Sequence, residues 1–179
     1  FAVVAQADIG LAACVPVGGT QTGGRLDTSS PVPVALLVPA GSGSAQDELL
    51  ARNLVNAARL AIADLSGAQI DLRVYNTAGS PGQAAAMATK AVDEGALIIL
   101  GPLNGIEANA AGAAVAGRGV NVLSFSNNAD IAGGNVFLLG TTYPNIAARL
   151  ANYAVRNGAP RIAIVHDQDL AGHAGRAAM

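Results

Sequence analysis

The chain alternates short apolar runs with helix-like stretches, and this alternation limits its fold more than any other feature. Most runs are wholly apolar and stop at Gly, Pro or a polar residue, which is typical of strands buried on both faces of a parallel sheet. Residues 70–75 instead alternate apolar and polar residues, as in a strand with one wetter face. The runs occupy residues 34–38, 70–75, 97–100, 120–123, 136–139 and 162–165. Such regular alternation predicts an α/β fold, a three-layer αβα sandwich around a parallel sheet.

The stretches between the runs carry start signals of helices. Ser44 precedes a stretch in which Leu50 and Leu54 recur at helical spacing. Asn104 precedes an alanine-rich stretch and has Glu107 three residues further on, the spacing of a capping pair. We therefore expect helices to begin directly after Ser44 and Asn104.

The end of the chain predicts a second unit. Residues 161–165 look like a new strand and residues 171–179 like the start of its helix. A compact lobe gains nothing from one extra strand without neighbours. We predict one lobe over residues 31–141, a crossover helix over 142–160 and the truncated start of a second lobe over 161–179.

Residues 1–30 differ from the rest in composition. The first residues are mostly apolar and end in Leu11-Ala12-Ala13-Cys14, which resembles the lipobox of bacterial lipoproteins, where the cysteine is cleaved at and acylated. An ordinary cysteine in an alanine-rich stretch is the alternative. Residues 15–30 are rich in Gly, Thr, Ser and Pro, as in a flexible tether. We interpret residues 1–30 as a signal remnant, lipobox and flexible leash, with Cys14 as the lipidation site.

Charge and composition exclude several classes of function. The chain has 10 Lys and Arg against 12 Asp and Glu, and the positive residues are scattered, so no basic stripe is available for nucleic acid. No apolar run after the N-terminus approaches the roughly 20 residues that span a bilayer. A lipid anchor would therefore be the chain's contact with a membrane. We expect no nucleic acid, no metal and no cofactor; His166 and His173 are interpreted as surface residues.

The carboxyl ends of the predicted strands indicate where a ligand would bind, because parallel sheets place their ligand crevice there. These ends fall at residues 41–44, 76–78, 102–105, 124–128 and 141–142. Apart from Asp47 nearby, they hold no Asp, Glu, Lys, Arg or His, which acid–base and nucleophilic catalysis require. Dinucleotide, P-loop and serine-hydrolase motifs are absent as well. We predict a site that binds a small polar ligand without chemistry.

From about residue 32 to residue 175, the sequence resembles the first lobe and hinge crossing of type I periplasmic binding proteins, in particular the leucine/isoleucine/valine-binding family. The motifs that carry the resemblance are Ala91-Val92-x-x-Gly95 before Ile98-Ile99-Leu100-Gly101-Pro102-Leu103, then Gly119-Val120-x-Val122-Leu123-Ser124, then Arg161-Ile162-Ala163-Ile164-Val165-His166-Asp167.

This resemblance implies candidate ligand residues. Amino-acid-binding members hold the ligand's carboxylate and ammonium in lobe 1 with a Ser after the third strand, and with a small residue and a Thr after the fourth. The matching positions here are Gly105, Ser126 and Asn128. Ser42 and Asn104, at neighbouring strand ends, complete the candidate set.

The resemblance also bears on function. Residues 124–128 replace the usual Ser-Pro-x-Ala-Thr, and together with the lipobox-like start they look more like the penicillin-binding-protein activators of this superfamily. We therefore expect a non-enzymatic periplasmic lipoprotein that contacts a peptidoglycan synthase, with a cleft that is vestigial or holds a small polar ligand. The alternative is the solute-binding receptor of an ABC transporter for branched-chain or other amino acids or small polar solutes, with the permease as partner.

Overall fold

The computed structural model describes residues 27–179, and the predicted lipidation site Cys14 lies outside them. The strands are β1 Val32–Val38, β2 Ile70–Asn76, β3 Ile98–Leu100, β4 Asn121–Ser124 and β5 Val136–Leu138. They form one five-stranded sheet in the order β2-β1-β3-β4-β5, and all four strand pairs are parallel. The predicted α/β fold with a parallel sheet is confirmed.

The α-helices are α1 Ala45–Ala63, α2 Pro81–Asp93, α3 Gly105–Val115, α4 Tyr143–Arg156 and α5 Leu170–Ala178, with short 3-10 turns at Ala116–Arg118 and Ala129–Ile131. Ser44 caps α1 as expected, because its side chain accepts a hydrogen bond from the Asp47 amide. Within the described range, no helix is both long and apolar enough to cross a membrane.

The core lies on both faces of β1, an interior strand of the sheet. Ala35 and Leu37 face a larger core that contains the buried alanines of α2 and α3, while Leu36 and Val38 face a smaller core under α1. Alanine keeps α2 and α3 close to each other and to the sheet. The alternation of side chains along β1 therefore fills both layers of the sandwich.

The segment 162–165 corrects the sequence analysis, because it is not a strand. The five strands of the described residues pair only with one another, so this segment has no hydrogen-bonded neighbour. Val165 is 98% exposed. A strand without a partner does not form by itself in water. The helix predicted after it does form, as α5, and Asp169 caps it by accepting the Gly172 amide at 2.7 Å.

Tyr75 makes the protein less stable as the pH rises through the alkaline range. Its side chain is buried, and its hydroxyl donates to Glu94 Oε2 at 2.6 Å. Burial and this hydrogen bond raise the pKa of Tyr75 from 10.0 to about 12. Folding therefore favours the protonated phenol, so its contribution is complete below about pH 10 and is lost as the pH rises through about 12.

We expect the variant Tyr75→Phe to lose less stability than the wild type between about pH 10 and pH 12. Urea unfolding at several pH values in this range measures the difference. Glu94→Gln should remove part of the wild-type slope, because the Glu94 charge disfavours the phenolate. Parallel curves for the wild type and Tyr75→Phe would contradict the assignment.

Candidate functional site

A cleft of about 690 Å³ opens beyond the carboxyl ends of β2, β3 and β4. This is the edge of a parallel sheet at which ligands usually bind. Its walls come from the start of α2, the first turn of α3, the loop after β4, and the region of α4 and α5. The polar and small residues among them are Gly79, Asn104, Gly105, Glu107, Asn109, Ser126, Asn127, Asn128, Tyr143 and Asp169.

The structure brings most of the predicted ligand residues together. Gly105, Ser126, Asn128 and Asn104 all line the cleft, whereas Ser42 is not part of its lining. The Ser42 hydroxyl instead donates to Asp47 Oδ2 at 2.8 Å, at the start of α1. The predicted segments 76–78 and 141–142 do not line the cleft either. The ligand roles of the residues that do line it stay predictions.

The loop after β4 is held by a chain of side-chain hydrogen bonds. The Ser124 hydroxyl donates to Pro102 O at 3.0 Å and accepts from the Ser126 amide at 3.1 Å. Ser126 Oγ in turn accepts from the Asn128 amide at 3.1 Å. The hydroxyl proton of Ser126 has no acceptor among the described residues, so this side chain can donate to a ligand.

The first turn of α3 offers further donors. The first amide groups of any helix have no acceptor within it, and Asn104, at the N-cap position, makes no side-chain capping bond. The helix begins after Asn104 as predicted, but the prediction that Asn104 and Glu107 form a capping pair is wrong. Gly105 has no side chain, and a Cβ placed there would lie 3.3 Å from Ser126 Oγ. Gly105 thus leaves the Ser126 hydroxyl and the α3 amides open to the cleft.

Glu107 is a buried cleft residue that the sequence analysis missed. It is only 2% exposed. Its Oε1 accepts from Asn104 Nδ2 at 2.7 Å and its Oε2 accepts from Thr77 Oγ1 at 2.6 Å. The sequence indicated a helix cap, but the side chain turns inward to the end of β2 instead. One sequence signal could have identified Glu107. It is a carboxylate in the first turn of a helix that starts directly after the carboxyl end of a strand.

The cleft is consequently less neutral than the sequence analysis predicted. Glu107 and Asp169 both line it, whereas no Lys, Arg or His does in the described part of the chain. Both oxygens of Glu107 accept hydrogen bonds from protein groups, whereas Asp169 uses Oδ1 as the cap of α5. The chemistry available to a ligand is therefore hydrogen bonding with hydroxyl, amide and backbone groups and with the second oxygen of Asp169.

The two histidines lie near each other, with ring centroids 5.5 Å apart for His166 and His173. Over residues 27–179, however, no three His, Cys, Asp or Glu side chains are grouped so that they could hold a metal ion. The His166 ring contacts the backbone, with Nδ1 at 2.8 Å from Asp167 O.

Comparison with known proteins extends these observations. A solved structure with the same fold is the ABC transporter substrate-binding protein from Desulfitobacterium hafniense, which is 22% identical with a TM-score of 0.68 over 83% of this chain and 46% of that chain. It has also been solved in complex with Leu, with a TM-score of 0.66. A solute-binding protein of an ABC transporter from Rhodopseudomonas palustris BisB5, in complex with 3,4-dihydroxybenzoic acid, is 19% identical with a TM-score of 0.67 over 82% of this chain and 42% of that chain.

The TM-scores establish a shared fold, and the chain spans less than half the length of these solved structures. No curated protein matches the chain. The model of the family described as periplasmic binding protein matches residues 31–179, which include the whole sheet and the cleft. The chain therefore belongs to the periplasmic binding protein family.

Proposed function

We propose that this protein is the solute-binding receptor of an ABC transporter and that its cleft holds a small solute by a carboxylate group. The observation that carries the proposal is the set of free donors at one corner of the cleft. The Ser126 hydroxyl and the first amides of α3 converge there, beside Gly105. Hydroxyl and backbone donors at a helix N-terminus suit a carboxylate.

The ligands of similar structures support this choice of group. One structure contains leucine and another contains 3,4-dihydroxybenzoic acid. The two ligands differ in the rest of the molecule, but both carry a carboxylate. Because this chain spans less than half of those proteins, the opposite wall of the cleft and the transporter partner are part of the proposal.

The receptor is favoured over the activator of a peptidoglycan synthase. The similar solved structures are transporter receptors. Part of the segment that contributed to the activator interpretation, Ser126 to Asn128, lines the cleft and carries the free Ser126 donor. A lipid anchor at Cys14 is compatible with either function and stays a prediction. We place the protein in the periplasm, where such a receptor captures its solute.

Binding without catalysis also fits the carboxylates of the cleft. A carboxylate that acts as a general base must be able to reach a proton of the substrate. The Glu107 oxygens accept from Asn104 and Thr77, and Asp169 Oδ1 accepts from the Gly172 amide. These hydrogen bonds give both carboxylates a structural role in the walls of the cleft, which fits a site that binds a ligand without catalysis.

The direct test is isothermal titration calorimetry of the wild type with Leu, Ile, Val, Ala and hydroxybenzoates. We expect at least one of these carboxylates to bind. Ser126→Ala should then weaken its binding about tenfold, because one hydrogen bond to a charged group is lost.

Ser66→Ala is the control for this substitution, since Ser66 is exposed in the turn after α1 and outside the cleft. It should bind as the wild type does. Equal affinities of Ser126→Ala and wild type would show that the ligand carboxylate is not held at this corner, and no binding of any of these solutes would contradict the proposed function.

A further inference from the structure

The side-chain amide of Asn104 has a fixed direction. Its Nδ2 donates to Glu107 Oε1 at 2.7 Å. The second oxygen of Glu107 is engaged as well, since Oε2 accepts from Thr77 Oγ1 at 2.6 Å. If the amide were turned over, Asn104 Oδ1 would face Glu107 Oε1, and two acceptors at that distance repel each other.

The Glu107 carboxylate is itself held firmly. It is 2% exposed, and Thr77 is completely buried. The Thr77 amide donates to Val38 O at 2.8 Å, which fixes this residue to the end of β1. Glu107 also lies in the first turn of α3, where the helix dipole favours a negative charge. The acceptor that orients Asn104 therefore has little freedom to move.

The fixed amide leaves an acceptor at the cleft. Asn104 is exposed and lines the cleft, and its side chain makes no capping bond with α3. Its Oδ1 has no hydrogen-bond donor among the described residues, next to the donors of Ser126 and the α3 amides. One corner of the cleft thus offers an acceptor and donors side by side.

We propose that Glu107 is a positioning residue that holds the Asn104 amide with its oxygen toward the cleft, and that this oxygen selects solutes with an amine or amide N–H beside their carboxylate. The selection of the solute rests on the proposed function; the positioning of the amide does not. The absence of any Lys, Arg or His among the cleft residues of the described range agrees with a ligand that brings its own donor.

The positioning is tested by NMR of the ligand-free protein. We expect one side-chain Hδ2 proton of Asn104 to resonate downfield in the wild type, as a charge-assisted donor, and to move upfield in Glu107→Gln. Asn109, on the same helix and in the same cleft, is the internal control, and its amide should be unchanged. Asn104 resonances that are the same in both proteins would overturn the positioning role.

The selection is tested by calorimetry with leucine and with 4-methylpentanoate, which is leucine without its amine. We expect the wild type to bind leucine about ten- to a hundredfold more tightly, and Asn104→Ala to lose most of that ratio. Asn53→Ala, at an exposed position of α1 outside the cleft, should keep it. An unchanged ratio in Asn104→Ala overturns the selection, and so does a wild type that binds neither solute. The proposed function is decided separately, by the wider set of carboxylates, and the positioning by the NMR result.

Discussion

Gly101→Ala is expected to destabilise the protein by about 3–5 kcal/mol, the largest effect of any single methyl group that we predict. Gly101 ends β3 with a φ of +82°, a conformation that costs an L residue about 1–2 kcal/mol. A Cβ there would also overlap the carbonyl oxygen of Leu37 in β1. That carbonyl belongs to an interior strand paired on both sides, so it has no room to withdraw.

Gly43→Ala separates the two contributions, because Gly43 has nearly the same φ of +81° and no neighbouring atom within 4 Å of the place where its Cβ would lie. It should cost only about 1 kcal/mol, from the backbone conformation alone. Urea unfolding followed by circular dichroism measures both variants. Losses that agree within about 0.5 kcal/mol, the usual scatter of independent sites, would contradict the close approach of β1 to Gly101.

The change at Gly101 should also reach the cleft. The Gly101 amide donates to Leu123 O at 2.8 Å, and the next residue, Pro102, accepts from the Ser124 hydroxyl and from the Phe125 amide. Pro102 therefore links the end of β3 to the loop that carries Ser126. In any fraction of Gly101→Ala that still folds, ligand binding should be weakened along with stability.

The sheet could be predicted from sequence because each of its strands has a local pattern that ends at a turn, an apolar run in most strands and an apolar–polar alternation in β2. The run 34–38 became β1, which is buried between two helical layers, and its pattern indicates burial on both faces. The run 162–165 has the same local pattern and is not a strand. The difference lies outside the segment, because a strand also needs a hydrogen-bonded neighbour, which local pattern does not report.

The candidate site was predictable to the extent that it follows from strand ends. Ser126 and Asn128 were found because the end of a parallel strand places them at the crevice. Glu107 was missed because its meaning depends on Thr77, thirty positions earlier in the chain. Tertiary packing decides whether a side chain in the first turn of a helix caps that helix or contacts the end of another strand. The spacing of Asn104 and Glu107 is the same in both cases, so the sequence does not distinguish them.

Gly105→Leu is expected to abolish ligand binding while leaving the fold intact. A Cβ at Gly105 would lie 3.3 Å from Ser126 Oγ and 3.6 Å from Asn128 Cβ, so a longer side chain would fill the corner where the free donors converge. We expect affinity for the solute that binds the wild type most tightly to fall at least about a hundredfold, because the hydroxyl and the amides of α3 are covered together. Leu is also a better helix former than Gly, by up to about 1 kcal/mol, so the free energy of unfolding should change little.

Gly82→Leu is the matched control, since Gly82 lies in the first turn of α2, is exposed and is outside the cleft. It brings the same side chain to the same part of a helix, and the nearest atom to its Cβ, Ser80 Oγ, is 3.9 Å away. Calorimetry should show wild-type affinity for Gly82→Leu, and urea unfolding should show similar stability for both variants. If Gly105→Leu binds as well as Gly82→Leu, the ligand lies elsewhere, because no carboxylate can reach the α3 amides past a leucine at this position.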